Sequence, residues 1–147
     1  MKLTLINQRE FKRRNREITH LHKFGADNEA KVKYALRALK KAGKLFIVNQ
    51  PSKQNMKMKR GNCYHNSIRK MKEGFEYVEG VIINKITKFE ISHAWNMDSN
   101  GNHIDFTIMN TQDFEYCGVV IPADLIREIG SRNGFIWYCS LPYITVK

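Results

Sequence analysis

The stretch "FEISHAWNMDSNGNHIDFT", residues 89–107, determines how the middle of this chain folds. Strand-like segments lie on both sides of "DSNGN" (98–102), and an Asn-Gly pair in that setting is a strong signal for a tight hairpin turn. Alternate residues of a strand share a face, so His93 and Trp95 lie on the same side. The hairpin therefore predicts that His93 comes close to Asp105 on the neighbouring strand.

Upstream of this hairpin, "GNCYHNS" (61–67) places a cysteine at the predicted start of a helix. Apolar residues recur at helical spacing from Tyr64 onward, and Asn62 is a suitable N-cap. The first turn of a helix has N–H groups without partners and the positive end of the helix dipole, and both stabilise an anion. We therefore expect Cys63 to be an activated thiol that carries thiolate character.

These residues together predict a nucleophilic Cys-His-Asp triad. A thiolate nucleophile needs an imidazole that transfers protons, and the imidazole needs a partner that fixes its tautomer. His93 would be the general base and acid, and Asp105 would be the orienting carboxylate. Two other interpretations stay open. Cys63, His93 and Asp105 could be structural residues without chemistry, or Cys63, His65, His93 and His103 could bind zinc, although their spacing matches no structural zinc motif.

In this order, "GNCYHN", "YVEGVI", "HAWNMDSNGNHIDFT" and "YCGVVIP" resemble the transglutaminase-like branch of the papain-like cysteine peptidases and hydrolases. The resemblance covers roughly residues 60–122. It implies an α+β, papain-like fold in which the nucleophile helix packs on an antiparallel sheet. It also implies that Cys63, His93 and Asp105 occupy the catalytic positions and that the chemistry needs no metal or organic cofactor.

The resemblance further implies a reaction and an oxyanion hole. The reaction is attack on an amide or isopeptide bond through a thioester, as in a protease, amidase or deamidase. Papain-like enzymes commonly use a glutamine upstream of the nucleophile as an oxyanion donor, and Gln50 and Gln54 are available for that position. The backbone N–H of Cys63 would be the other donor. Trp95 would be a site wall or core aromatic that shields the His–Asp pair from water.

The basic residues are concentrated in the first 60 residues. Residues 1–60 carry 17 lysines and arginines against 4 acidic residues, whereas residues 61–147 carry 8 against 10. Such asymmetry indicates either an acidic partner or a solvated face. We expect Arg13, Arg14 and Arg16 to recruit a protein or peptide-like substrate of acidic character. Nucleic acid is less favoured, because aromatic residues are not interleaved with "KRRNR". The alternative function is an inactive transglutaminase-like module that binds nucleic acid or an acidic protein through this region.

The length of 147 residues predicts one domain, with a basic, mostly helical part at 1–60 and a catalytic core at 61–147. The odd number of cysteines, the lack of a signal-peptide pattern and the lack of a long apolar run predict a cytoplasmic protein without contact to a membrane. Helices are predicted at 8–24, 28–42, 63–73 and 122–130. Strands are predicted at 45–48, 75–84, 88–97, 102–109, 116–121 and 135–141.

Overall fold

The computed structural model describes residues 2–52, 58, 61–133 and 139–147, which form an α+β fold, as predicted. The helices are α1 (Gln8–His22), α2 (Asn28–Ala42), α3 (Cys63–Met71) and α4 (Ala123–Asn133). The strands are β1 (Leu3–Leu5), β2 (Lys44–Phe46), β3 (Val48–Asn49), β4 (Glu76–Asn84), β5 (Glu90–Met97), β6 (His103–Ile104), β7 (Phe114–Ile121) and β8 (Ile144–Val146).

Six of the strands form one curled sheet in the order β2-β7-β4-β5-β6-β3. All neighbours are antiparallel except β3 and β6, which are parallel. The two edge strands, β2 and β3, are separated in the chain by Ile47 alone. A single residue cannot span an open six-stranded sheet, so the sheet must curl until its edges approach one another. β1 and β8 form a separate antiparallel pair.

The curled sheet has an apolar cluster on each face. The inner face buries side chains from β3, β4, β5 and β7, namely Val48, Val78, Ile82, Trp95 and Tyr116. The outer face is covered by helices, and its core includes Ile18, Leu39, Ile68, Tyr77, Val81 and Ala94. α3 packs there against β4 and β5. α3 therefore packs on the antiparallel part of the sheet.

α1 and α2 form where the apolar periodicity predicts them. The Asn7 side chain accepts a hydrogen bond from the Glu10 N–H and caps α1. Asp27 precedes α2, but its side chain makes no capping bond to the helix backbone. Its carboxylate instead lies 2.6 Å from Lys31 Nζ. Gly43 follows the last residue of α2, which ends at the predicted position.

Some strand predictions need correction. The segment 45–48 is divided between two strands, and the strand predicted at 102–109 ends at Ile104. It ends there because Asp105 turns its carboxylate back onto the N–H groups of Thr107 and Ile108. The strand predicted at 135–141 lies partly outside the described residues. Its described end is not a strand, since a 3-10 turn begins at Leu141. The β1–β8 pair was not predicted.

Glu79 is a buried carboxyl in β4, the central part of the sheet. It accepts hydrogen bonds from the Tyr77 hydroxyl at 2.5 Å and from the backbone N–H groups of Ser140 at 2.8 Å and Leu141 at 2.5 Å. Burial raises the pKa of Glu79 to about 7, although these hydrogen bonds act in the opposite direction. Glu79 therefore attaches the segment before β8 to the outer face of the sheet.

Gly118 in β7 leaves room for the indole of Trp95. A Cβ at this position would lie 2.5 Å from Trp95 Cη2 and 2.9 Å from Cζ2, far inside van der Waals contact. Trp95 is fully buried, so its ring cannot move into solvent. The absence of a side chain at Gly118 is thus a packing requirement.

We predict that Gly118→Ala lowers the free energy of unfolding by about 1–3 kcal/mol, because the added methyl group overpacks the inner core. Urea denaturation measures this change. Trp95→Phe removes the atoms that clash, so the double variant should lose less stability than the sum of the two single variants. Strict additivity of the two losses would show that the indole is not the obstacle.

Candidate active site

α3 begins at Cys63, as the sequence predicts. The Asn66 N–H donates to the Asn62 carbonyl at 2.8 Å, which is the first helical hydrogen bond. The Cys63 N–H therefore lies at the end of the helix, outside its own hydrogen-bond pattern. The Asn62 side chain makes no capping bond, so the predicted side-chain cap is wrong. Cys63 is partly exposed, whereas Asn66 is buried.

The structure brings Cys63, His93 and Asp105 together. His93 Nε2 donates to Asp105 Oδ2 at 2.7 Å, and the ring is only 4% exposed. Cys63 and His93 line the same cleft, and the two side chains interact electrostatically. Because Asp105 occupies Nε2, Nδ1 is the ring nitrogen that remains for proton exchange with another group.

Asp105 is fully buried and receives four hydrogen bonds. Oδ2 accepts from His93 and from the Tyr116 hydroxyl at 2.8 Å, while Oδ1 accepts from the N–H groups of Thr107 at 2.8 Å and Ile108 at 3.1 Å. Burial would raise the pKa of Asp105, but the charge of His93 and these hydrogen bonds lower it. Asp105 is therefore a carboxylate despite its burial.

The surroundings of His93 favour its protonated form. Burial alone would lower the pKa of His93, but the Asp105 carboxylate and the Cys63 thiol outweigh burial and raise it from 6.5 to about 10. An imidazolium carries an N–H on each nitrogen, and one of them donates to the Asp105 carboxylate. The protonated ring therefore has an N–H that is available to a neighbouring group on the cleft.

Two residues that the sequence analysis did not identify also support the site. Tyr116 comes from β7, on the far side of β4, and burial together with the negative Asp105 raises its pKa, so its hydroxyl stays protonated and donates. Asn66 donates from α3 to Thr107 Oγ1 at 2.9 Å. Asn66 lies three residues after Cys63, so helical geometry puts both on one side of the helix. This spacing is the sequence feature from which a position of Asn66 near the site could have been predicted.

A cleft of about 530 Å³ opens beside the three residues. The cleft lies along the part of β5 that does not pair with β6. Only Asn96 and Met97 of β5 pair with that strand. Cys63 and His93 line the cleft. Its other polar lining residues are Asn28, Lys31, Tyr64, Ser92, Thr107 and Asn110, and its apolar ones are Ile91, Ile108, Met109 and Phe114. The cleft therefore has both polar and apolar lining residues.

The other predicted site residues lie elsewhere. Trp95 is buried below the site, where its Nε1 donates to His103 Nδ1 at 2.8 Å, and it does not line the cleft. Gln50 is exposed and lines a different groove on the sheet edge, beside Phe46 and Asn49. Gln54 lies outside the described residues. Among the predicted oxyanion groups, the Cys63 N–H is the one that the described structure puts at the site.

The described residues do not support the zinc interpretation. The His103 ring stacks on Phe46 with ring centroids 3.9 Å apart, and its Nδ1 already accepts from Trp95. Burial lowers the pKa of His103, in agreement with a neutral ring. Within the described ranges, no group of three or more His, Cys, Asp and Glu side chains is arranged to hold a metal ion.

The three predicted partner-binding arginines differ in exposure. Arg14 is buried, where its Nε donates to Glu10 at 2.8 Å, its Nη1 donates to the Pro142 carbonyl at 2.7 Å, and its guanidinium lies over the Tyr34 ring. Arg14 therefore has an internal structural role. Arg13 and Arg16 are exposed on α1, and Arg13 pairs with Glu10.

Comparison with protein-family models, curated proteins and solved structures finds no match to this chain. In the part of the chain that the structure describes, none of the helices combines the length and the apolar character that crossing a bilayer requires.

We predict that Tyr116→Phe lowers the free energy of unfolding by about 1–3 kcal/mol, because the buried Asp105 carboxylate loses a donor. It should also raise the pKa of His93 further, since the carboxylate is then less stabilised by other groups. NMR titration of the imidazole measures this shift. Tyr143→Phe is the control, because the Tyr143 hydroxyl donates to Asn15, away from Asp105. An unchanged or lowered His93 pKa would contradict the role assigned to Tyr116.

The His93–Asp105 pair should make stability depend on pH. In a Cys63→Ala background, which removes the thiol titration, the raised folded pKa of His93 means that its contribution is complete below pH 6.5. The contribution is lost as pH rises through the folded pKa, which lies between 6.5 and about 10. The slope is at most about 1.4 kcal/mol per pH unit. Urea denaturation of Cys63→Ala with and without His93→Gln measures it, and a difference independent of pH would contradict the ion pair.

Proposed function

We propose that this protein is a cysteine hydrolase of the transglutaminase-like, papain-like type that acts on an amide or isopeptide bond. The observation that carries this proposal is the position of Cys63 at the start of α3, on the same cleft as a buried imidazole with which it interacts electrostatically. The second nitrogen of that imidazole is held by Asp105 at 2.7 Å. This combination of nucleophile, acid–base group and orienting group is what acyl transfer through a thiol requires.

The proposed reaction has two steps. The Cys63 thiolate attacks the carbonyl carbon, and the C–N bond breaks after His93 gives its Nδ1 proton to the leaving amine. This step leaves a thioester and a neutral imidazole. Water then attacks the thioester, His93 takes up its proton, and the acid product leaves with the thiol restored. Asp105 stays ionised throughout and keeps the ring oriented.

The start of α3 supports stabilisation of the oxyanion. The Cys63 N–H at the helix end is a donor, and the positive end of the helix dipole favours negative charge near it. The apolar lining residues of the cleft, among them Ile91, Ile108 and Phe114, suit an apolar group next to the scissile bond. The polar lining residues, which include Asn28 and Ser92, suit the polar backbone of a peptide-like substrate.

An inactive transglutaminase-like binding module is the second candidate. The exposed cations of α1 and α2 favour this candidate, because they form a charged surface that has no part in the Cys63–His93–Asp105 site. The two candidates differ in the reactivity of Cys63. A module without activity has no need for a thiol that reacts faster than the other cysteines.

We predict that Cys63 forms covalent adducts with iodoacetamide and with peptidyl vinyl sulfones near pH 7 far faster than Cys117 or Cys139. Burial raises the pKa of both other thiols, so they are internal controls. Intact-mass spectrometry followed by peptide mapping measures the adducts. His93→Ala should slow labelling, and Asp105→Asn should lower turnover of a responsive amide substrate by about 10²–10⁴-fold.

Cys63→Ser and Cys117→Ser form a matched pair of variants. The first should abolish vinyl sulfone labelling, and the second should leave it intact. Equal and slow labelling of all three cysteines in the folded protein would refute the hydrolase proposal and favour the binding module.

A further inference from the structure

Two helices present rows of exposed cations on one side of the molecule. On α1 the exposed cations are Arg9, Lys12, Arg13 and Arg16, at positions i, i+3, i+4 and i+7. On α2 they are Lys33, Arg37, Lys40 and Lys41, at positions i, i+4, i+7 and i+8. Both spacings keep the four residues of a row on one side of a helix. We call these eight residues the basic face.

Contacts across the helix pair join the two rows into one surface. Glu17 of α1 accepts from Lys33 of α2 at 3.2 Å and lies 4.0 Å from Arg13 of its own helix. The Tyr34 ring lies between the helices, with Lys33 Nζ 4.5 Å and the Arg37 guanidinium 5.1 Å from its centroid. The Arg13 guanidinium lies over the same ring at 6.0 Å. The two rows are therefore neighbours with fixed relative positions.

Neighbouring acids offset only part of the charge of this face, since Arg13 and Lys33 are paired and Glu29 lies one helical turn before Lys33. Glu10 and Glu17 lie at the junction of the two helices and pair there with Arg13, Arg14 and Lys33. The outer part of the face carries cations, with Arg9, Lys12 and Arg16 on one helix and Lys40 and Lys41 on the other. A surface of this kind attracts an extended polyanion over a long range.

We infer that the basic face binds the phosphate backbone of a nucleic-acid duplex, independently of the proposed hydrolase site. Regular phosphates along a rigid duplex match rows of cations held on rigid helices, and Arg and Lys contacts to phosphates provide affinity without sequence recognition. The lack of interleaved aromatic residues argues against stacking on single strands, but contacts to phosphates do not need such residues. The one aromatic ring between the rows, Tyr34, is only 1% exposed.

An acidic protein fits this face less well. Protein interfaces depend on a buried apolar or aromatic centre surrounded by polar residues. The large apolar residue exposed among these cations is Leu36, which is 38% exposed. A phosphate backbone needs no apolar centre, because counterion release supplies the binding free energy.

The test measures fluorescence anisotropy of a labelled duplex of about 20 base pairs between about 50 and 200 mM NaCl. The protein should bind with an affinity that falls steeply with salt. Arg9→Gln, Lys12→Gln and Arg16→Gln together should weaken binding at least tenfold at low salt and reduce the log–log slope by about 2–3, since each lost phosphate contact removes about 0.9. All three positions are exposed, so a thermal melt should show a folded protein.

A matched control removes the same charge elsewhere. Arg69, Lys72 and Lys85 are exposed cations outside the basic face, and their triple substitution by Gln lowers the net charge by the same amount. This control should leave the slope unchanged within about one unit. Duplex RNA and duplex DNA are tested separately to identify the source of the phosphates, and binding of either one supports the inference.

Three outcomes would overturn the inference. The first is absence of duplex binding at the lowest salt concentration. The second is an equal loss in both triple variants, which would show that only net charge matters. The third is competition by poly-glutamate as effective as that of unlabelled duplex, which would show a face for acidic protein. Cys63 labelling in all variants should match the unmodified protein, so failure of this inference is distinguishable from failure of the hydrolase proposal.

Discussion

The buried carboxylate of Asp105 is the group around which the candidate site is built. A buried charge without partners costs several kcal/mol, so an ionised carboxylate in the interior must have donors that satisfy it. Its four donors come from β5, from β7 and from the turn after β6, so one side chain connects three segments that are separate in the sequence. The same negative charge keeps His93 protonated. Fold and chemistry therefore share one electrostatic requirement.

The rings below the site contribute through packing. Trp95 and Tyr116 meet edge to face with centroids 5.0 Å apart, and both are buried in the curled sheet. They keep water away from the side of the His93–Asp105 pair that faces the interior, where a low dielectric strengthens the hydrogen bond. Gly118 is the sheet position that makes space for the indole. The sheet thus affects the candidate site through residues that do not line the cleft.

Local signals in the sequence explain which parts could be predicted. The Asn-Gly turn lies between β5 and β6, and helical periodicity locates α1, α2 and the start of α3 at Cys63. The hydrogen bond of Tyr116 could not be predicted, because β7 pairs with β4 and that register is a long-range property. The burial of Arg14 could have been predicted from the local sequence, because Arg14 lies three residues after Phe11 and four before Ile18. Its charge suggested the surface, whereas its helical position indicated the core.

The different environments of Cys63 and Asp105 have a consequence for how related chains would diverge. Cys63 is partly exposed at a helix end, so a lineage that does not use the proposed chemistry can replace it with serine or alanine without disturbing the interior. Asp105 and Tyr116 would remain under purifying selection, because the folded state itself needs them. Descendants without activity would therefore keep the carboxylate and the phenol long after the thiol is gone. A gene that encodes such a remnant would still produce a folded protein, available for recruitment to another role.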